Sequence, residues 1–175
     1  RWTLLQLGTG KVDITPDAPV PLAGFAFRSG VFDRVQTPLF ARVFCFKSED
    51  AAPVVFVSAD LIWWGTDQMD RMQRRIRSYS GLEKATILLH ATHSHSGPQT
   101  SQAVSPLIGN ASPPYIEALE NTVLSGITEA VAAFEPVTVE RGTSQCDIGI
   151  HRRRLVDGGV EMAPNQKGPN DPECT

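Results

Sequence analysis

Val54-Val55-Phe56-Val57-Ser58-Ala59-Asp60-Leu61-Ile62 and, two dozen residues on, Ala85-Thr86-Ile87-Leu88-Leu89-His90-Ala91 are the two stretches that decide the fold. Each is a nearly continuous apolar run of strand length, rich in branched side chains, the pattern of a strand buried on both faces. Between them Met69, Met72, Ile76 and Tyr79 recur at helical spacing, while Arg71, Arg74, Arg75 and Arg77 fall mostly on the other side. Strand, helix and strand in that order predict the α/β class. Thr66 is the expected cap of the helix and Gly81 its end. The arginines read as a solvated face, with a phosphate-binding patch as the alternative.

Working outward, residues 39–46 alternate between two largely apolar faces and predict a strand that pairs with 54–62 through the turn at 48–53. Residues 4–14 read as a short strand broken by Gly8 and Gly10 and ended by Thr15-Pro16. Residues 17–37 carry Pro, Gly and Arg without a period, the mark of a long ordered loop that lines a site. Toward the other end, Pro113 or Pro114 starts a helix with Ile116, Leu119, Val123, Ile127, Ala130, Val131 and Phe134 as its apolar stripe, stopped at Glu135-Pro136. Residues 137–143 read as a further strand, and from Asp157 onward as loop. The expected architecture is a mixed sheet with covering helices.

The 175 residues are of ordinary size for one globular unit. An apolar share of 41%, a charged share of 20% and a net charge of −3 give no reason to expect a nucleic-acid partner. No apolar run reaches the ~18 residues of a membrane span. The chain begins at Arg1 with no charged-then-apolar segment, so any leader is expected to have been removed or not included. Cys45, Cys146 and Cys174 are odd in number and widely spaced, which predicts incidental or buried thiols rather than a disulfide framework or a zinc knuckle.

The chemistry concentrates just after the second run, in Thr92-His93-Ser94-His95-Ser96-Gly97-Pro98. Residues two apart in an extended chain point the same way, so His93 and His95 are expected to face one pocket, while His90 points to the opposite face as a packed structural residue. Imidazole is a favoured zinc ligand, and α/β proteins place functional groups just outside strand ends. The alternative is a pair of hydrogen-bonded loop histidines. Asp60, ending the neighbouring run, either orients a ligand histidine or caps its own turn. Trp63 and Trp64 read as packing or as the rim of an apolar substrate site. His151-Arg152-Arg153-Arg154 is a cationic run in which an arginine could hold an oxyanion or an acidic headgroup; as a solvated run it would carry no function.

Several of these segments together resemble the neutral/alkaline non-lysosomal ceramidase family. Gly8-Thr9-Gly10-Lys11-Val12-Asp13-Ile14-Thr15-Pro16 is similar to its Gly-x-Gly-x-x-Asp-Ile-Thr opening, and Leu22-Ala23-Gly24-Phe25 and Thr37-Pro38-Leu39-Phe40-Ala41-Arg42 follow in the same order. Most specific is Ala91-Thr92-His93-Ser94-His95-Ser96-Gly97-Pro98, close to the family's Ala-Thr-His-Thr-His-Ser-Gly-Pro. The resemblance implies a zinc-dependent amide hydrolase acting on ceramide or a related N-acyl lipid, with a zinc-activated water as nucleophile. It implies that His93 is the first zinc ligand and that His95 helps hold or polarise the carbonyl. Ile150-His151-Arg152-Arg153 stands where the family often has Ile-Asn-Arg-Ser, so Arg152 aligns with its substrate-contacting arginine.

The family's second histidine, glutamate and tyrosine ligands come later in the chain. Residues 1–175 are therefore expected to be the amino-terminal portion of a larger catalytic domain, inactive alone, with the segment beyond Thr175 as the missing partner. Peripheral membrane contact and an extracellular or periplasmic setting are further expectations from the resemblance. Two other readings remain: a metallohydrolase of another superfamily, although the aspartate that lactamase-like motifs place two residues after the second histidine is here Gly97, and a non-catalytic module with a degenerate site.

Overall fold

The computed structural model describes residues 4–175, which divide into two compact units, 4–137 and 138–175. In the first, β1 (Gln6–Asp13), β2 (Phe40–Lys47), β3 (Val54–Ala59), β4 (Thr86–Ala91) and the two-residue β5 (Glu135–Pro136) form one sheet in the order β4-β3-β2-β1-β5. Neighbours run antiparallel except β3 and β4, which are parallel and joined through α1 (Thr66–Arg77). The long α2 (Pro113–Ala132) returns the chain to β5 beside β1. The mixed sheet with helices is the architecture expected from the β-α-β reading.

Both helices pack on one face of this sheet. Val12, Val43, Val55, Val57 and Ile87 from the strands join Met72 and Ile76 of α1 and Leu119, Val123 and Ile127 of α2 in one buried cluster. The glycines do not break β1; they let α2 lie directly on it. A Cβ on Gly8 would stand 1.8 Å from the Ala130 carbonyl oxygen, and one on Gly10 would stand 2.3 Å from that of Gly126. The helix contributes its own glycine at the crossing, where Gly126 packs against Val12 and Val43. Tyr115 closes the end of this contact by donating its hydroxyl to the Ile14 carbonyl at 2.8 Å.

The opposite face corrects the expectation of strands buried on both sides. In β3 the residues Val54, Phe56 and Ser58 are half-buried, and in β4 Thr86, Leu88 and His90 are exposed. With both helices on one face, the side chains described on the second meet across strands. Phe44 and Phe56 stand opposite each other at 6.0 Å between centroids, Phe56 and His90 at 5.6 Å, and the Ser58 hydroxyl meets His90 Nδ1 at 3.1 Å. His90 thus points away from the helices, as its spacing predicts, but is exposed rather than packed.

Helix α1 starts one residue earlier than expected. Gly65 is the cap, and Gln68 folds back so that its Oε1 accepts the Gly65 N–H at 3.0 Å. This turns Gln68 inward as the first buried position instead of Met69. The arginines divide: Arg74 and Arg77 are exposed, whereas Arg71 and Arg75 reach across to Glu120 of α2 at 2.8 and 3.4 Å. Glu120 holds the Arg71 guanidinium above its ordinary range, chiefly by hydrogen bonding. The pair is a helix clasp rather than a phosphate patch.

Of the three thiols, Cys45 lies fully inside the cluster, and burial pushes it up to about 11, while Cys146 and Cys174 are exposed. Between the ordinary thiol range near 9.0 and about 11 the folded chain keeps a proton that the unfolded chain has lost. The contribution of Cys45 to stability is therefore full below that window and falls as pH rises through it. A thiol-reactive chromophore at pH 8 is expected to label two cysteines in the native protein and the third only after denaturant is added. Native labelling of all three would show that the β2 core is open.

The second unit holds a hairpin of β7 (Arg153–Val156) and β8 (Gly159–Met162), and a short pair of β6 (Ser144–Gln145) with β9 (Glu173–Cys174). The hairpin replaces the loop expected from Asp157, and residues 137–143 form no strand. Its turn is Asp157-Gly158, with Gly158 at φ +96°, and Arg154 pairs with Glu161 across it. No helix among the described residues is long and apolar enough to cross a membrane.

Candidate active site

Beyond β3 and β4 the chain turns into the loops that carry the histidines. The crossing is tied by backbone bonds, Thr92 N–H to the Ala59 carbonyl and Ser94 N–H to that of Leu61, both 3.0 Å. At His93 the backbone enters the left-handed region, with φ +61°, a conformation that a non-glycine residue adopts at a cost and one that clusters at functional sites. The segment is therefore not extended, and alternation is not what brings the two histidines together. The turn does so: their Nε2 atoms stand 3.4 Å apart and their rings meet edge to face at 5.0 Å.

The two rings are held differently. His93 Nδ1 lies 3.0 Å from the Ile62 carbonyl oxygen, an acceptor only, so that nitrogen carries the proton and Nε2 offers its lone pair. This is the arrangement by which proteins orient a metal-binding imidazole. Trp63 packs near the same ring, 6.5 Å between centroids, and is fixed by donating its indole N–H to Gln99 Oε1 at 2.8 Å. His95 lies against Gly24, whose α-carbon leaves it room: a Cβ there would be 2.5 Å from His95 Nδ1. Phe25 meets the His95 ring edge to face at 4.9 Å.

Asp60 does not serve the histidines. Its carboxylate takes the Phe40 N–H at 3.0 Å and pairs with Arg42 at 3.2 Å, locking β2 to the end of β3. The loop 17–37 divides in two. Gly24, Phe25 and Arg28 meet His95, whereas residues 32–37 line a cavity of about 640 Å³ together with Thr15, Asp60, Thr92, Ser94 and Ser96. Thr92, Ser94 and Ser96 line that cavity, and His93 and His95 are not among its lining residues.

Arg152 belongs to the second unit, where its side chain is exposed and its carbonyl accepts the Ala163 N–H at 3.1 Å. In that unit His151 lines a separate cavity of about 270 Å³ with Asp147, Asn165 and Asn170. Arg28 was absent from the sequence reading although it touches the site, donating to the His95 carbonyl at 2.7 Å. An isolated arginine in an aperiodic loop gives no signal of where it will land. Among the described residues no group of three or more His, Cys, Asp or Glu gathers as a metal site. What is present fits part of one: an imidazole oriented through Nδ1, with its Nε2 facing the Nε2 of a second imidazole at 3.4 Å.

Comparison with known proteins bears on this geometry. A solved structure of neutral ceramidase from Pseudomonas aeruginosa superposes with a TM-score of 0.73 at 23% identity, over 83% of this chain and 24% of that one. A second, described as ceramidase complexed with C2, gives 0.73 at 22% identity over the same shares. Both likenesses concern the fold, and the chain spans about a quarter of the length of each of those proteins, 24%. A search of curated protein sequences found no significant match. The family model for the N-terminal part of neutral/alkaline non-lysosomal ceramidases matches residues 5–164, both histidines and most of both units included. This chain belongs to the neutral/alkaline non-lysosomal ceramidase family.

Proposed function

We propose that the chain is the first part of a zinc-dependent hydrolase that cleaves the amide bond of ceramide or a related N-acyl lipid. The observation that carries this reading is the fixed tautomer of His93, with Nδ1 on the Ile62 carbonyl and Nε2 directed at His95. When bound, zinc supplies a Lewis acid and lowers the pKa of a coordinated water to about 7. His93 is the ligand this chain provides. His95, whose Nε2 is 3.4 Å from His93 Nε2, holds a hydrogen-bond donor beside the position where the carbonyl oxygen gains charge. Arg152 is assigned a substrate-contacting role by its place in the family motif.

The family and the exposed Phe25 and Phe27 support an acyl-chain substrate, because they put apolar surface on the turn that touches His95. The same two side chains favour peripheral contact with a lipid surface. An extracellular or periplasmic location belongs to this proposal by family likeness alone. Catalytic zinc takes about three protein ligands, and the described residues gather too few, so the proposal assigns the remaining ligands to sequence beyond Thr175.

The test uses the natural full-length protein. It is expected to contain zinc and to release fatty acid from an N-acyl sphingoid substrate, to lose that activity on chelation and to regain it with added zinc. Residues 1–175 alone are expected to show no turnover. A full-length protein that hydrolyses the amide equally well after complete zinc removal would overturn the mechanism.

A further inference from the structure

We infer that the turn at residues 24–28 is a clamp for His95, and that Arg28 is the positioning residue that sets it. The inference rests on the zinc-hydrolase reading, because it assigns His95 a working role. His93 is oriented by a hydrogen bond to its ring, but the described contacts of the His95 ring are its Nε2 on His93 and packing. An imidazole without a partner on its far nitrogen rotates unless its backbone and both ring faces are held.

The turn supplies those restraints. Arg28 donates from Nη1 to the His95 carbonyl at 2.7 Å and to the Ala23 carbonyl at 3.3 Å, so one guanidinium ties the loop to the catalytic segment. The same group lies over the Phe25 ring, 4.7 Å from its centroid, and Phe25 in turn meets His95. Gly24, at φ +108°, brings bare backbone against the ring where any side chain would collide. The turn is itself anchored: Ala23 N–H donates to the Gly97 carbonyl at 2.9 Å and Gly24 N–H to that of Ile108 at 3.0 Å. The backbone holds the turn in place, and Arg28 transmits that position to His95.

Arg28→Ala in the full-length enzyme is expected to lower kcat about tenfold or more, since a displacement of about 1 Å at a reacting group can cost 10²-fold. KM and zinc content are expected to stay at the wild-type values, because the ligand His93 is held separately. Arg28→Lys keeps one donor for the His95 carbonyl and is expected to restore most of the loss. Crystal structures of both proteins read the geometry independently, with the His95 ring displaced in the alanine variant and returned in the lysine variant.

A ring that stays in place in Arg28→Ala overturns the clamp. A ring that moves while kcat does not change leaves the clamp standing and removes His95 from the chemistry. Should Arg28→Ala fail to fold, Phe25→Ala at an exposed position serves as the second variant, with the same ring displacement expected. No displacement there would also refute the inference.

Discussion

Replacing His93 with alanine in the full-length protein is expected to remove bound zinc and to lower amide hydrolysis by about 10³-fold or more, the effect of losing several kcal/mol of charge stabilisation. The reason lies in the asymmetry of the pair. His93 has its Nδ1 committed as a donor to the Ile62 carbonyl, so in the neutral ring Nε2 is the nitrogen that presents a lone pair. His95 has no such commitment, and His95→Ala is expected to keep zinc while losing about 10²-fold in kcat, the usual cost of one oxyanion donor. Metal analysis beside steady-state kinetics separates the two. If His93→Ala retains stoichiometric zinc, the ligand assignment is wrong.

The second large effect concerns stability and is independent of the chemistry. Gly10→Ala and Gly8→Ala each place a methyl group inside the contact distance of a helix carbonyl, 2.3 Å from Gly126 and 1.8 Å from Ala130. Neither obstacle is a flexible side chain; both are backbone of α2, Ala130 in its last turn. Relief requires the helix to lift from β1, where Val12, Val123 and Ile127 are packed. Overpacking a well-filled core costs about 1–3 kcal/mol and occasionally more, and these two positions are expected at or above the upper end. Urea denaturation followed by circular dichroism reads the shift in midpoint. A control at Gly142, where an added Cβ meets nothing, is expected to be neutral. Unchanged midpoints for Gly8→Ala and Gly10→Ala would mean that α2 does not lie against β1 at these glycines.

How much of this was legible in the sequence depended on which interaction fixed each residue. The β3-α1-β4 unit and the stripe on α2 came through because burial imposes period on a chain, and Val55, Met72 and Leu119 obey it. Gly8 and Gly10 were misread as breaks because a glycine signals either a bend or a close approach, and only the partner helix tells which. Burial on both faces was overestimated for β4 because a continuous apolar run does not say whether anything lies against its second side. The hairpin at Asp157-Gly158 was passed over because Arg153 to Met162 pack no core, so the turn was the only available signal.

The site divides in the same way. That His93 and His95 stand side by side was expected, but for the wrong reason: the expectation assumed an extended chain, and it is the left-handed backbone at His93 that joins the rings. Asp60 was placed correctly at the strand end, but its partners, the Phe40 N–H and Arg42 of the neighbouring strand β2, lie outside both readings offered for it. Gly24, Phe25 and Arg28 reach His95 from some seventy positions earlier, and long-range packing of this kind leaves no local pattern.

The bond from Tyr115 to the Ile14 carbonyl spans 101 residues, and β1 rests on a helix that begins a hundred positions after it. For a chain emerging from the ribosome, β1 has no covering helix layer until α2 has been synthesised. Contacts so distant in sequence make folding slow, and the apolar side of β1 stays uncovered for the whole interval. The histidine loop leaves the sheet late in that span, between β4 and α2, so a nascent chain stalled before α2 would carry both histidines on a sheet whose apolar face is still uncovered.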